Sequence, residues 1–135
     1  MPVKVYWLDE TKKDMVWYDF EGEWTWDEFY PMYEEASCMI KSQPHRVDVL
    51  MDFRHNLSLP PHALTHMKGI TDRQPDNTGL AIFVTTHRFI SVMLNSAIKF
   101  YPKIEDYYVV APTLEDAYTL INKDREQEQS PSLES

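Results

Sequence analysis

The first part of the chain changes from alternating apolar positions to a helical spacing. Val3, Val5 and Trp7 alternate with more polar positions, and a second β-rich run covers residues 15–20. The polar connection at residues 10–14 is too short for a crossover, so the two runs predict an antiparallel hairpin with no helix between its strands. Thr25 and Glu28 form a capping box ahead of the apolar series that predicts the first helix.

Three further strand-and-helix units complete the predicted fold. Continuous apolar runs at residues 47–53, 80–85 and 107–110 are typical of buried strands, and helical spacing follows each. Strands that follow a helix pair in parallel through right-handed crossovers. We therefore predict an α/β fold of order ββαβαβαβα, with a mixed, mostly parallel five-stranded sheet, an N-terminal hairpin and four helices. In the third helix we expect the core to contain Phe89, Ile90, Met93, Leu94 and Ala97.

Length and composition predict one domain followed by an acidic tail. The 135 residues have room for one core, and an apolar content of 43% is that of a chain that folds. Residues 124–135 contain one apolar residue in twelve. This composition predicts a domain spanning residues 1–123 and a disordered tail over residues 124–135.

Charge and cysteine content narrow the compartment and the class of partner. A net charge of −9 argues against nucleic-acid binding, which needs a basic surface to neutralise phosphates. Residues 37–104 nevertheless hold eight bases, four acids and all five histidines, which makes one basic sector. A lone cysteine, Cys38, fits a reducing compartment, and residues 1–10 lack the apolar run of a signal peptide. We expect a cytoplasmic protein without a membrane span.

The element order resembles that of a known family of small domains. Residues 22–25 read Gly-x-Trp-Thr at the turn into the first helix, and a strand ends Val-Leu-Met-Asp-Phe at residues 49–53. With the order of strands and helices, these features resemble the STAS or SpoIIAA-like family of bacterial anti-sigma-factor antagonists and STAS/SEC14-type relatives. The resemblance implies a non-enzymatic regulatory or protein-interaction module of bacterial signalling that needs no cofactor.

One functional motif of that family is missing. In the signalling members, a partner kinase phosphorylates a serine at the start of the second helix. The corresponding stretch here is residues 57–64, and His62 stands at or beside the position of that serine. Ser58 lies several residues earlier, where we expect it to cap the helix. We therefore predict partner binding at this surface without a phosphoserine switch.

Basic residues follow two neighbouring strands at the predicted carboxyl edge of the sheet. Arg54 and His55 end one strand, and His87 and Arg88 follow the next. Carboxyl ends of parallel strands meet at one edge, so we expect these two pairs to converge. The alternative is that they are ordinary solvated loop residues. The predicted site for a protein partner or a small anion comprises Arg54, His55, Ser58, His62, His87 and Arg88.

Aromatic side chains concentrate around the first helix. Most of them are expected in the core, because aromatic rings dominate the cores of small domains. We expect Trp26 and Tyr30 on the helix face opposite Tyr33 and Ala36. Trp26 and Tyr30 therefore predict an exposed aromatic strip that would bind a partner or form a homodimer.

Two other functional classes remain open. A carrier would enclose a small apolar, lipid or anionic ligand between sheet and helices, which requires a closed pocket of several hundred Å³. A receiver-like signalling domain or an uncharacterised enzyme is the third alternative, suggested by Asp9, Glu10, Asp52 and Thr85 at strand ends. His62 and His66 have helical spacing and could share a metal with His55 or Asp52, but no third and fourth ligand stands at a known spacing. We predict no catalytic residue, no metal and no cofactor.

Overall fold

A computed structural model describes residues 2–56 and 58–129. Over these residues the chain forms five strands and five helices. In chain order they are β1 (Val3–Trp7), β2 (Met15–Glu21), α1 (Trp26–Lys41), β3 (Val47–His55), α2 (Ala63–Arg73), β4 (Thr78–Val84), α3 (Arg88–Phe100), α4 (Pro102–Glu105), β5 (Tyr108–Ala111) and α5 (Leu114–Gln129).

The strands form one sheet in the order β1-β2-β3-β4-β5. β1 pairs antiparallel with β2, and all later pairings are parallel. The predicted α/β fold and its N-terminal hairpin are thus confirmed, and residues 8–14 contain no helix. The fold differs from the prediction by one helix, the short α4, which Pro102 begins and whose Ile104 is buried.

The start of α2 differs from the expected one. Ser58 does not cap the helix, because α2 follows His62, which has a left-handed φ of 64°. Pro60 and Pro61 stand between Ser58 and the helix, and a residue that precedes proline is disfavoured in the helical conformation. The capping box of α1 is present as predicted, with the Glu28 amide donating to the Thr25 hydroxyl.

Helices cover both faces of the sheet, but unequally. α1, α2, α3 and α4 contribute to the larger core, which contains Val49, Met51 and Phe53 of β3. α5 covers the opposite face, where Leu50 is buried with Ala117 and Ile121. Alternate residues of β3 therefore face different cores, as the pleat of a strand requires. None of the helices described is long and apolar enough to cross a membrane.

The disordered tail was predicted to begin at residue 124, but the last helix continues beyond that residue. Residues 124–129 continue α5, and only residues 130–135 of that predicted tail lie outside the described residues. Asp48 is fully buried and accepts hydrogen bonds from Arg46 and Arg125. Arg46 also pairs with Asp124 and Glu128, so the polar end of α5 is held against the sheet. Composition indicated disorder because it does not record these pairings across more than seventy residues.

Candidate functional site

The two predicted basic pairs leave the same edge of the sheet, but Arg54 and Arg88 lie on opposite faces of it. β3 and β4 run parallel with Asp52 opposite Val84, so the residues that follow them reach one edge. The Arg54 guanidinium folds back onto Asp52, with Nε–Oδ1 and Nη2–Oδ2 distances of 2.9 Å each. The Arg54–Asp52 ion pair lies on the α5 face of the sheet, whereas Arg88 begins α3 on the other face. The structure therefore does not bring Arg54 and Arg88 together as predicted.

Arg54 is already paired within its own strand. Burial acts to raise the pKa of Asp52, but the hydrogen bonds from Arg54 outweigh burial and hold that pKa below its ordinary value. The neighbouring Asp19 on β2 has a raised pKa, caused first by burial and then by the charges of Glu21 and Asp52. An arginine engaged in this way neutralises a buried carboxylate and is a weaker candidate for binding an external anion.

The other predicted residues, from the end of β3 to the start of α2, lie in solvent. His55, Ser58 and His62 are all exposed, which agrees with the alternative that they are solvated loop positions. The connection is instead held by Asn56, which sequence reasoning missed. Its buried amide accepts a hydrogen bond from Trp24 Nε1 at 2.9 Å and donates one to the Phe20 carbonyl at 2.8 Å. An asparagine directly after a strand was the signal that could have indicated this role.

The predicted exposed aromatic strip is wrong. Trp26 and Tyr30 are half-buried, because His66 of α2 packs on both rings. The His66 and Trp26 ring centres are 4.1 Å apart, and the Tyr30 hydroxyl lies 2.5 Å from His66 Nδ1. Trp26 Nε1 also donates to the Pro61 carbonyl at 2.7 Å. These aromatic rings therefore join α1 to α2 and do not form a free surface.

A small cavity lies between the sheet and helices α1 and α2. Its volume is about 60 Å³, and most of its wall is buried aromatic and aliphatic surface. Two buried polar atoms on the wall, Gln74 Nε2 and Thr78 Oγ1, have no hydrogen-bond partner among the described residues. Burial raises the pKa of Tyr108, which also lines the cavity, to about 12. This space would hold about two water molecules, far less than a carrier needs for its ligand.

The most exposed apolar surface lies on α3, where sequence reasoning did not place a site. Phe89 and Met93 were expected in the core, but they are 61% and 37% exposed. Val92 and Phe100 are 56% and 72% exposed. Phe89, Met93 and Phe100 lie within about 40° of one another around the helix, roughly opposite the buried Ile98. We call Phe89, Val92, Met93 and Phe100 the α3 stripe.

The α3 stripe was detectable in principle. Apolar residues cover about two thirds of the circumference of α3, which is wider than the single face that packs on a core. α3 is enclosed on one side, where Ile90, Leu94 and Ile98 are buried. The rest of its apolar residues had no predicted element to cover them.

Cations border the α3 stripe. Arg88 and Lys99 are eleven residues apart, which is about three helical turns, so they lie on the same side of α3 next to Val92. Both are exposed. At the N-terminal end, His87 and Arg88 line a shallow depression together with Phe89 and Val92. The sequence has no acidic residue from position 77 to position 104, although its net charge is −9. One of the two predicted basic pairs, His87 and Arg88, therefore adjoins an apolar surface.

The acids of a receiver-like pocket are separated. β1 runs antiparallel to β2, so Asp9 lies at the opposite end of the sheet from Asp52. In the part of the chain that the structure describes, no group of three or more His, Cys, Asp or Glu side chains could hold a metal ion. Comparisons of the chain with protein-family models, with curated proteins and with solved structures gave no match. The basis for assigning a function is therefore the surface of the protein itself.

Proposed function

We propose that this protein is a non-enzymatic protein-interaction or regulatory module of STAS/SpoIIAA-like type, which binds its partner through the α3 stripe and the adjoining His87–Arg88 turn. The observation that carries the proposal is the exposure of Phe89 and Phe100 on one side of a single helix. Exposed apolar side chains gathered on one side of a helix mark a candidate interaction site, because the largest apolar patch on a small protein is often functional.

The size of the α3 stripe agrees with a docking surface. A phenylalanine carries about 150–250 Å² of surface, so the exposed parts of all four side chains add up to roughly 400 Å². A stable protein interface buries about 800 Å² on each partner. The stripe would therefore form the apolar centre of an interface, and the flanking polar and basic residues would form its rim.

The element order supports assignment to a regulatory domain of bacterial cytoplasm, since it is the feature that resembles the STAS/SpoIIAA-like family. His62 in the place of the family's serine supports a module that is not switched by phosphorylation at that position. Partner binding then depends on the concentration and affinity of the partner rather than on a covalent modification of α2.

A carrier for a small apolar or anionic ligand is the second candidate. It is favoured by the two unpartnered polar atoms, Gln74 Nε2 and Thr78 Oγ1, on the wall of the cavity. The volume of about 60 Å³ ranks it second, because a ligand of ordinary size would need the helices to move apart. Native mass spectrometry of protein purified without denaturation tests this candidate, which predicts a co-purified ligand of defined mass.

Affinity capture from native lysate tests the proposed interaction module. The test variant is Phe89→Ser combined with Phe100→Ser. The matched control is Tyr6→Ser combined with Leu8→Ser, which removes two exposed apolar side chains, 43% and 42% exposed, from the other side of the molecule. Circular dichroism checks that both variants fold, as expected for exposed substitutions.

The proposal predicts proteins that are enriched by the unaltered chain and by the control but lost with the α3 variant. Quantitative mass spectrometry of the captured fractions measures this difference. Identical capture by all three chains would rule out the α3 stripe as the binding surface.

A further inference from the structure

We infer that the α3 stripe docks an acidic amphipathic helix of a partner protein. This inference rests on the proposed function and adds the chemistry of the partner. Helix-in-groove and helix-on-helix contacts use apolar residues at intervals of three and four positions. Val92 and Met93 follow Phe89 at these intervals, and Phe100 lies seven positions after Met93 with the exposed Ser96 between them. The stripe extends from Phe89 to Phe100, eleven helical steps, so about three turns of a partner helix, roughly 16 Å, would cover it.

The cations beside the stripe determine the charge of that helix. In the part of the chain that the structure describes, Arg88 and Lys99 form no ion pair. Other nearby cations are engaged: Lys103 pairs with Asp72 at 2.7 Å, and the Lys68 ammonium lies 5.6 Å from the Tyr101 ring centre. Two free cations about three turns apart on one side of an apolar stripe match a helix with carboxylates along one border of its apolar face.

A second copy of this chain fits the stripe poorly. In a symmetric dimer each surface patch meets the same patch of the other subunit. Arg88 and Lys99 would then approach the same two cations of the partner subunit. Residues 77–104 contain no acid that would offset this repulsion, although Glu105 and Asp106 line a depression together with Lys99. A symmetric α3–α3 contact would therefore oppose like charges at its border.

An anionic lipid surface is also a weaker match. The stripe and its two cations would favour contact, but a membrane meets the field of the whole protein, whose net charge is −9. A short acidic helix bound to the stripe would lie close to the basic sector and far from most of the acids of the protein. Screening by salt then reduces the repulsion between the helix and those acids. The local charge therefore favours a protein helix over an anionic bilayer.

Three synthetic peptides of about 18 residues test the inference, since shorter helices are marginal in water. They share one leucine-rich apolar face and differ in the residues along its border, which are glutamate, glutamine or lysine. Fluorescence anisotropy with the full chain measures the three dissociation constants. We expect the glutamate peptide to bind at least about fivefold more tightly than the lysine peptide, with the glutamine peptide between them.

Charge reversal supplies the matched control. The combined variant Arg88→Glu and Lys99→Glu should invert the order of the peptides and leave the circular dichroism spectrum unchanged. Reversal of Lys12 and Lys13 in the β1–β2 connection changes the net charge equally and should preserve the order. Equal binding of the three peptides, tighter binding of the lysine peptide, or no binding by any of them at about 1 mM would overturn the inference.

Two further measurements separate the other occupants. Sedimentation with vesicles of phosphatidylcholine and phosphatidylserine should detect no vesicle binding that Phe89→Ser abolishes. Sedimentation velocity of the protein alone should detect no dimer that Phe89→Ser abolishes. Such vesicle binding would make a bilayer the occupant of the stripe, and such a dimer would make a second copy its occupant.

If lysate capture depends on the stripe but the peptides show no charge preference, the interaction module stands and the acidic partner is wrong. If lysate capture is independent of the stripe, the proposed function itself fails.

Discussion

Replacing Asp48 by alanine should destabilise the protein far more than any surface substitution. Asp48 is 0% exposed and is the second residue of β3, which pairs with β4. Its carboxylate accepts hydrogen bonds from Arg46 Nε at 2.9 Å, Arg125 Nε at 2.6 Å and the Leu80 amide at 2.7 Å. The substitution therefore removes the acceptor for two guanidinium groups and for one backbone donor at once.

The expected loss of unfolding free energy depends on which partners each hydrogen-bond donor keeps after the substitution. A buried amide without a partner costs about 1–3 kcal/mol, and breaking a fully buried ion pair costs about 3–5 kcal/mol. Here the arginine side chains are 16% and 25% exposed, and each keeps another acid, Arg46 with Asp124 and Arg125 with Asp14. We therefore expect a loss of about 3 kcal/mol, equivalent to about 10 °C in Tm for a domain of this size.

Urea unfolding followed by tryptophan fluorescence measures this loss. The matched control is Asp72→Ala, which removes the exposed Asp72–Lys103 pair and should leave the unfolding midpoint unchanged. Equal midpoints for Asp48→Ala and Asp72→Ala would refute the argument that the buried network holds α5 to the sheet.

Three further predictions follow from single residues. Gly79→Ala should cost about 1–3 kcal/mol in the same urea assay, because a Cβ there would overlap Asp48 and Arg46. Incubation with an anti-sigma-type serine kinase should leave Ser58 unmodified, and stoichiometric phosphate in a mass spectrum would contradict this. Burial and a nearby imidazole lower the pKa of His66, so the unfolded chain protonates first. The free energy of unfolding should fall as the pH drops below about 6.5, and His66→Gln should reduce this fall. Equal pH profiles for the variant and the unaltered chain would contradict this role of His66.

Much of the fold was predictable because local signals and long-range pairing agree. The short connection at residues 10–14 excluded a crossover, and the structure has the expected antiparallel hairpin. The length of α5 was not predictable from local composition. Residues 124–129 are polar, but Arg46 and Asp48 lie more than seventy residues away and bind this part of the helix in the folded chain. A prediction from neighbouring residues alone has no access to such pairings.

The candidate site was predictable in part. His87 and Arg88 were expected at the carboxyl edge of the sheet, and they adjoin the α3 stripe. Arg54 was expected to join them, but strand alternation places its side chain on the opposite face with Asp52. The error at Phe89 has a different cause: apolar periodicity identifies an amphipathic helix but does not say which of two apolar faces the sheet will cover.

Site-specific photo-crosslinking in the native cell tests the central claim most directly. A photoreactive benzoylphenylalanine replaces Phe89 in one variant and Tyr6 in a matched control, since both side chains are aromatic and exposed. We expect a discrete crosslinked product of higher mass from position 89 and none from position 6. The absence of a product at position 89, or the same product at both positions, would contradict partner binding through the α3 stripe.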